Sequence, residues 1–153
     1  MPEIKSQFIE CYAYANTPEG IKFLLLKRHN DNKIHPGIWQ IITGRIEERE
    51  KAFETAMREL EEETGLKAFK FFVLPKITQF YTFQNDTVNL ISLFLAEVKL
   101  DKVLISNEHS EYLWCNLQDA TEKVHWNSQK NNIKMISDFL ANENLKNTFV
   151  EIK

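Results

Sequence analysis

A layered α/β (α+β) fold, with a β-sheet covered by helices on both faces, is predicted by three features of the sequence. Residues 88–99 (VNLISLFLAEVK) are apolar almost without interruption, the pattern of a strand buried on both faces. Residues 50–64 and 128–142 carry apolar side chains at helical spacing, namely Ala52, Phe53, Ala56, Met57 and Leu60 in the first and Ile133, Ile136, Phe139 and Leu140 in the second. The remaining apolar runs are short, rich in aromatic and β-branched residues, and bounded by turn formers, as strands are.

In chain order, residues 7–15 (QFIECYAYA) and 21–28 (IKFLLLKR) read as two strands joined by the turn NTPEG, a hairpin. Residues 29–37 form a loop, and residues 38–43 (IWQIIT) a short strand that delivers the chain to Gly44. A helix follows, stopped by Gly65. Residues 68–83 read as one or two strands with an irregularity at Pro75, where a ladder donor is missing. After a turn at Asn85 and Asp86 comes the buried strand 88–99, then a polar connection over 101–111 and a strand over 112–117. Helix-start character follows from Leu117, and the last helix is expected over 128–142. Residues 144–153 are expected to be a tail or a short added strand.

The 153 residues suit one domain, 1–153, able to bury a core without disulfides or a structural metal. Net charge of -3 supplies no basic footprint for nucleic acid. The longest apolar runs are too short to span a bilayer, and a cytoplasmic location without membrane association is expected. Cys11 and Cys115 lack metal-ligand spacing and read as buried strand thiols.

The chemistry concentrates in the first helix. At ~100° per residue, Glu59, Glu62 and Glu63 share one flank of its apolar stripe, while Glu54 and Glu61 leave from the other. Like charges at this spacing repel by a few tenths of a kcal/mol per pair. Either the face is simply solvated or a cation gathers it, and oxygen ligands suit a hard cation such as Mg²⁺. Arg58 has Glu54 and Glu62 one turn to either side, so it is expected to brace the motif. Lys27 and Arg28 close a strand and could reach over a site at its end. Trp39 reads either as core or as a stacking platform, with Gln40 beside it as a further substrate-binding candidate.

Gly44, Glu50, Arg58, Glu59, Leu60, Glu62, Glu63, Gly65 and Leu66 fill all nine specified positions of a Nudix box. The stretch is similar to the Nudix hydrolases. That resemblance implies an α/β/α sandwich with a mixed sheet and hydrolysis of a nucleoside diphosphate linked to another moiety. It also implies Glu59, Glu62 and Glu63 as metal-binding carboxylates, Arg58 and Glu50 as an ion-paired brace, and turns permitted by Gly44 and Gly65. Arg49 stands where glycine is common in the box, a departure expected to affect loop conformation.

LLLKR, IWQIITGRIEE and EHSEYLW further resemble the branch containing dihydroneopterin triphosphate and dATP pyrophosphohydrolases. In that branch the glutamate of the EH pair, here Glu108, is a further metal ligand or proton acceptor; otherwise it is an exposed loop acid. The expectation is a Mg²⁺-dependent enzyme, with Mn²⁺ as the alternative ion. It would cleave a nucleoside or pterin triphosphate to the monophosphate and pyrophosphate, with Glu62, Glu63 or Glu108 as the proton acceptor. Arg28 would clamp a phosphate. The alternatives are a dinucleoside polyphosphate (Ap4A-type) hydrolase and a nucleotide sensor without turnover. The sequence leaves the oligomeric state open.

Overall fold

The computed structural model describes residues 1–142 and 149–153. Its strands are β1 (Glu3–Thr17), β2 (Gly20–Arg28), β3 (Trp39–Gln40), β4 (Ile42–Arg45), β5 (Lys70–Thr82), β6 (Thr87–Glu97), β7 (His109–Cys115) and β8 (Val150–Glu151), and its helices are α1 (Ala52–Thr64), α2 (Leu117–Lys123) and α3 (Asn127–Ala141). The sheet runs β3-β2-β1-β6-β5-β8, with β4 added beside β1 and β7 beside β2. It is mixed, because β1 and β6 run parallel while the other ladders are antiparallel.

Strand alternation divides the core into two layers. Ile9, Cys11 and Ala13 of β1 face α1, whose Ala56 and Leu60 complete that layer with Leu24, Leu26, Phe94 and Ala96. Tyr12 and Tyr14 face the opposite way and pack with Leu93, Leu95 and the Ile133, Ile136 and Phe139 stripe of α3. The expected two-sided burial of β6 holds for its second half, from Leu93 to Glu97; most of its first half is only partly buried.

The hairpin of β1 and β2 pairs only Tyr14 to Thr17 with Gly20 to Phe23. Before that point β1 turns to β4 instead, pairing Phe8 to Cys11 with Ile42 to Arg45. The stretch expected as one strand over 38–43 is therefore two, β3 on β2 and β4 on β1, separated at Ile41. Pro75 lies within a single strand, and the register of β5 on β6 slips between Val73 and Ile77, as its missing donor requires. β8 pairs with Phe72 and Val73, so part of the 144–153 stretch does add a strand; residues 144–148 lie outside the described residues. Both cysteines are buried in strands. Among the described residues no helix is long and apolar enough to cross a membrane.

Candidate metal and phosphate site

Helix α1 begins two residues later than its periodicity suggested, because Glu54 is used as a cap. Its carboxylate accepts the Lys51 amide at 2.9 Å, satisfying a donor that the first turn leaves free. At the other end Gly65 adopts φ 72° and donates its amide to the Glu61 carbonyl at 2.8 Å, a left-handed stop that a side chain would strain. Met57, expected on the apolar face, is 38% exposed, and the buried positions Thr55, Glu63 and Thr64 take part in the interface instead. The buried stripe is thus rotated toward Glu63, which places that carboxylate under the sheet rather than in solvent.

Arg58 is the hub of the motif. Its Nε and Nη2 grip Glu50 as a fork at 2.8 and 3.0 Å, while Nη1 donates to Glu59 and Glu62, each at 3.0 Å. Nη2 also donates to the Arg45 carbonyl at 3.2 Å, tying the helix to the end of β4. The expected pairings with Glu50 and Glu62 are present, and Glu59 takes the place anticipated for Glu54. Hydrogen bonds from Arg58 and Thr55 hold the Glu50 carboxyl down to about 2. The same pairing raises the Arg58 guanidinium further above its ordinary value.

The two box glycines differ in purpose. Gly44 lies within β4 and its φ is outside the left-handed region, so it makes no turn. A Cβ there would meet Glu59 Cδ at 2.7 Å and Oε1 at 2.8 Å. Gly44→Ala is therefore expected to push the Glu59 carboxylate aside, weakening metal binding about 10- to 100-fold, the scale on which supporting contacts act. The melting temperature should fall as well, because the nearest contact is Glu59 Cγ and the displaced carboxylate leaves Arg58; calorimetric metal titration and thermal melting of the same sample check both. Arg49, by contrast, adopts φ 69°. The loop keeps the conformation that a glycine would take freely, at a cost of about 1–2 kcal/mol for a residue with Cβ.

Glu63 is the buried acid, 4% exposed. Burial first, then the charges of Glu59 and Glu108, push its carboxyl up to about 9. Burial likewise raises Glu59, against the opposing pull of Arg58. One ligand atom each from Glu63, Glu108 and His109 lies within 4.8 Å of the other two. Among the described residues Glu63 Oε2 has no hydrogen-bond partner, nor has either ring nitrogen of His109, although all three atoms are buried. Burying such atoms unpaired is costly. The convergence of Glu63, Glu108 and His109 and these unpartnered atoms fit a divalent cation held by Glu63 and Glu108, with Glu59 and Glu62, whose charges act on Glu63, alongside.

Arg28 stands opposite His109 in the β2–β7 ladder, and its charge, after burial, helps to lower the imidazole to about 4. Its Nε is already engaged by the Ile34 carbonyl at 3.1 Å, which fixes the guanidinium beside the cluster. Trp39 and Gln40 diverge. Cross-strand partners share a face, so Gln40, opposite Leu26, points into the α1 layer, whereas Trp39 packs against the α3 layer with Lys27 6.0 Å from its ring.

Two groups escaped the sequence reading. His109 was visible within EHSEYLW but had no role until β7 turned it inward. The second is a buried polar network on the α3 face: Glu10 accepts from Gln129 at 2.6 Å and Tyr12 at 3.3 Å, and Asn132 donates to Tyr12 at 2.8 Å and Thr78 at 3.2 Å. A lone acid among the apolar residues of β1 was its only signal.

Residues 12–139 match the NUDIX domain family. Among curated proteins, the dihydroneopterin triphosphate diphosphatase of Haemophilus influenzae is 29% identical, over 82% of this chain and 83% of its own. The ADP-ribose pyrophosphatase of Bacillus subtilis is 36% identical over 72% of this chain and 59% of its own. A C. elegans Ap4A hydrolase superimposes with a TM-score of 0.75 at 22% identity, covering 90% of this chain and 98% of that one.

Proposed function

This chain belongs to the Nudix hydrolases, and on that footing we propose that it is a Mg²⁺-dependent pyrophosphohydrolase cleaving a nucleoside or pterin triphosphate to the monophosphate and pyrophosphate. The observation that carries the proposal is the convergence of Glu63 and Glu108 beside the carboxylates gathered by Arg58. The likeness to a dihydroneopterin triphosphate diphosphatase supports the triphosphate class. The LLLKR, IWQIITG and EHSEYLW stretches support it too.

Glu59, Glu62, Glu63 and Glu108 would hold the cation. When bound, it would offset phosphate charge and acidify a water molecule. Glu108 is exposed beside buried Glu63, so water reaches it, and it is placed to accept the proton of the water that attacks phosphorus. Arg28 is fixed at the same end of the sheet and would bind a phosphate oxygen through the Nη donors that the Ile34 carbonyl leaves free. Arg58 orients Glu59 and Glu62 by donating to both. The whole machinery lies in a single domain, 1–153.

The test is hydrolysis in ¹⁸O-labelled water across nucleoside and pterin triphosphates, diadenosine tetraphosphate and ADP-ribose. The expected products are pyrophosphate and a monophosphate, with orthophosphate absent from the first step. Label in free orthophosphate, or a clear preference for diadenosine tetraphosphate, would reject the triphosphate assignment. Either outcome would leave the chain a Nudix hydrolase.

A further inference from the structure

His109 is the group at this site to which the hydrolase reading gives no task. The ring is 3% exposed, and neither Nδ1 nor Nε2 has a hydrogen-bond partner. Each buried polar atom left unpaired costs about 1–3 kcal/mol. A second partner for the ring would remove that cost, and the atoms facing it are carboxylate oxygens of Glu63 and Glu108.

The backbone aims the ring deliberately. Lys27 pairs with Glu111 and Arg28 with His109, so Ser110 is an extra residue in β7, a bulge of the kind that redirects a side chain. Glu108 lies in the turn that precedes β7, outside the strand's alternation, so it and His109 can both approach Glu63. The three donor atoms lie within 4.8 Å of one another, so one cation between them can be reached by all three. Around a cation with ligand distances of about 2.1 Å, adjacent octahedral donors stand about 3.0 Å apart and opposed donors about 4.2 Å, and side-chain movement draws the three in.

We propose that His109 is a nitrogen ligand of the divalent cation held by Glu63 and Glu108. This rests on the metal-dependent reading above and refines it. An all-oxygen shell suits Mg²⁺, whereas an imidazole donor raises affinity along the series from Mn²⁺ to Co²⁺ and beyond. The site therefore accepts Mg²⁺ but binds Mn²⁺ and Co²⁺ more tightly than its carboxylates alone would.

Pulsed electron paramagnetic resonance of Mn²⁺ bound to the full chain reads the ligand directly, without turnover. A coordinated imidazole modulates the echo through its ¹⁴N nucleus, and the chain has four histidines. The modulation is expected in wild type, is expected to survive in a His29→Gln/His35→Gln/His125→Gln variant, and is expected to vanish in His109→Gln. By calorimetry, His109→Gln should weaken Co²⁺ binding about tenfold or more while changing Mg²⁺ binding much less. Should His109→Gln fail to fold, the wild-type and triple-variant spectra still decide. Mn²⁺ bound without ¹⁴N modulation in wild type, or modulation lost in the triple variant, overturns the ligand assignment and leaves the hydrolase reading standing. A chain that binds no Mn²⁺ overturns both.

Discussion

Glu63→Gln is expected to lower turnover by ~10³-fold or more, about 4 kcal/mol on the barrier, while making the metal-free protein more stable at pH 8. The two effects have one origin. Glu63 is buried among Glu59 and Glu108, and its carboxyl stands at about 9 in the folded chain against about 4.5 when exposed. Between those values the folded state binds more protons than the unfolded one, so stability falls as pH rises. The contribution of the protonated acid is complete below about 4.5 and lost as pH passes through about 9. A neutral amide removes that slope. A cation must also displace the proton, so metal binding by wild type is expected to release protons at neutral pH and to tighten as pH rises. Melting curves of both proteins in chelator from pH 5 to 9, with calorimetric metal titration in buffers of different ionisation enthalpy, measure each part. Parallel melting profiles for wild type and variant would show that Glu63 does not carry the strain.

Arg58→Ala is expected to lower the melting temperature clearly and to remove nearly all activity. Removing one partner of a partly buried ion-pair network leaves uncompensated charge, and solvent screening at the exposed Glu62 moderates the loss. Here the orphans are Glu50, Glu59 and Glu62, all within 3.0 Å of the guanidinium. Arg58→Lys should not restore the protein, because an ammonium cannot grip Glu50 with two parallel donors and still reach two further carboxylates. Excess Mg²⁺ should recover part of the lost melting temperature by neutralising Glu59 and Glu62, but not the contact to Glu50. Thermal melting with and without Mg²⁺, beside steady-state kinetics, separates the two contributions. A melting temperature unchanged from wild type would remove Arg58 as the brace.

The sequence by itself determined the parts whose physics is local or periodic. The nine box positions identified the family, as the match over residues 12–139 bears out. Helical spacing located α1 and α3, Gly65 ended α1 through a left-handed turn, and Pro75 marked the slip in β5. The tertiary structure decided what depends on distant segments meeting. Only the handover of β1 from β2 to β4 splits residues 38–43 into two strands and puts Gly44 against Glu59. Which acid of α1 is buried depends on how the helix rolls on the sheet, and periodicity fixes that only to about one residue. Met57 was thus expected inward where Glu63 is found. Glu108, in the turn before β7, and His109, at its start, reach Glu63 across about 45 residues of chain, a meeting that no local pattern announces. A carboxyl held at about 9 is a property of that meeting, since desolvation and neighbouring charge exist only once the chain has folded.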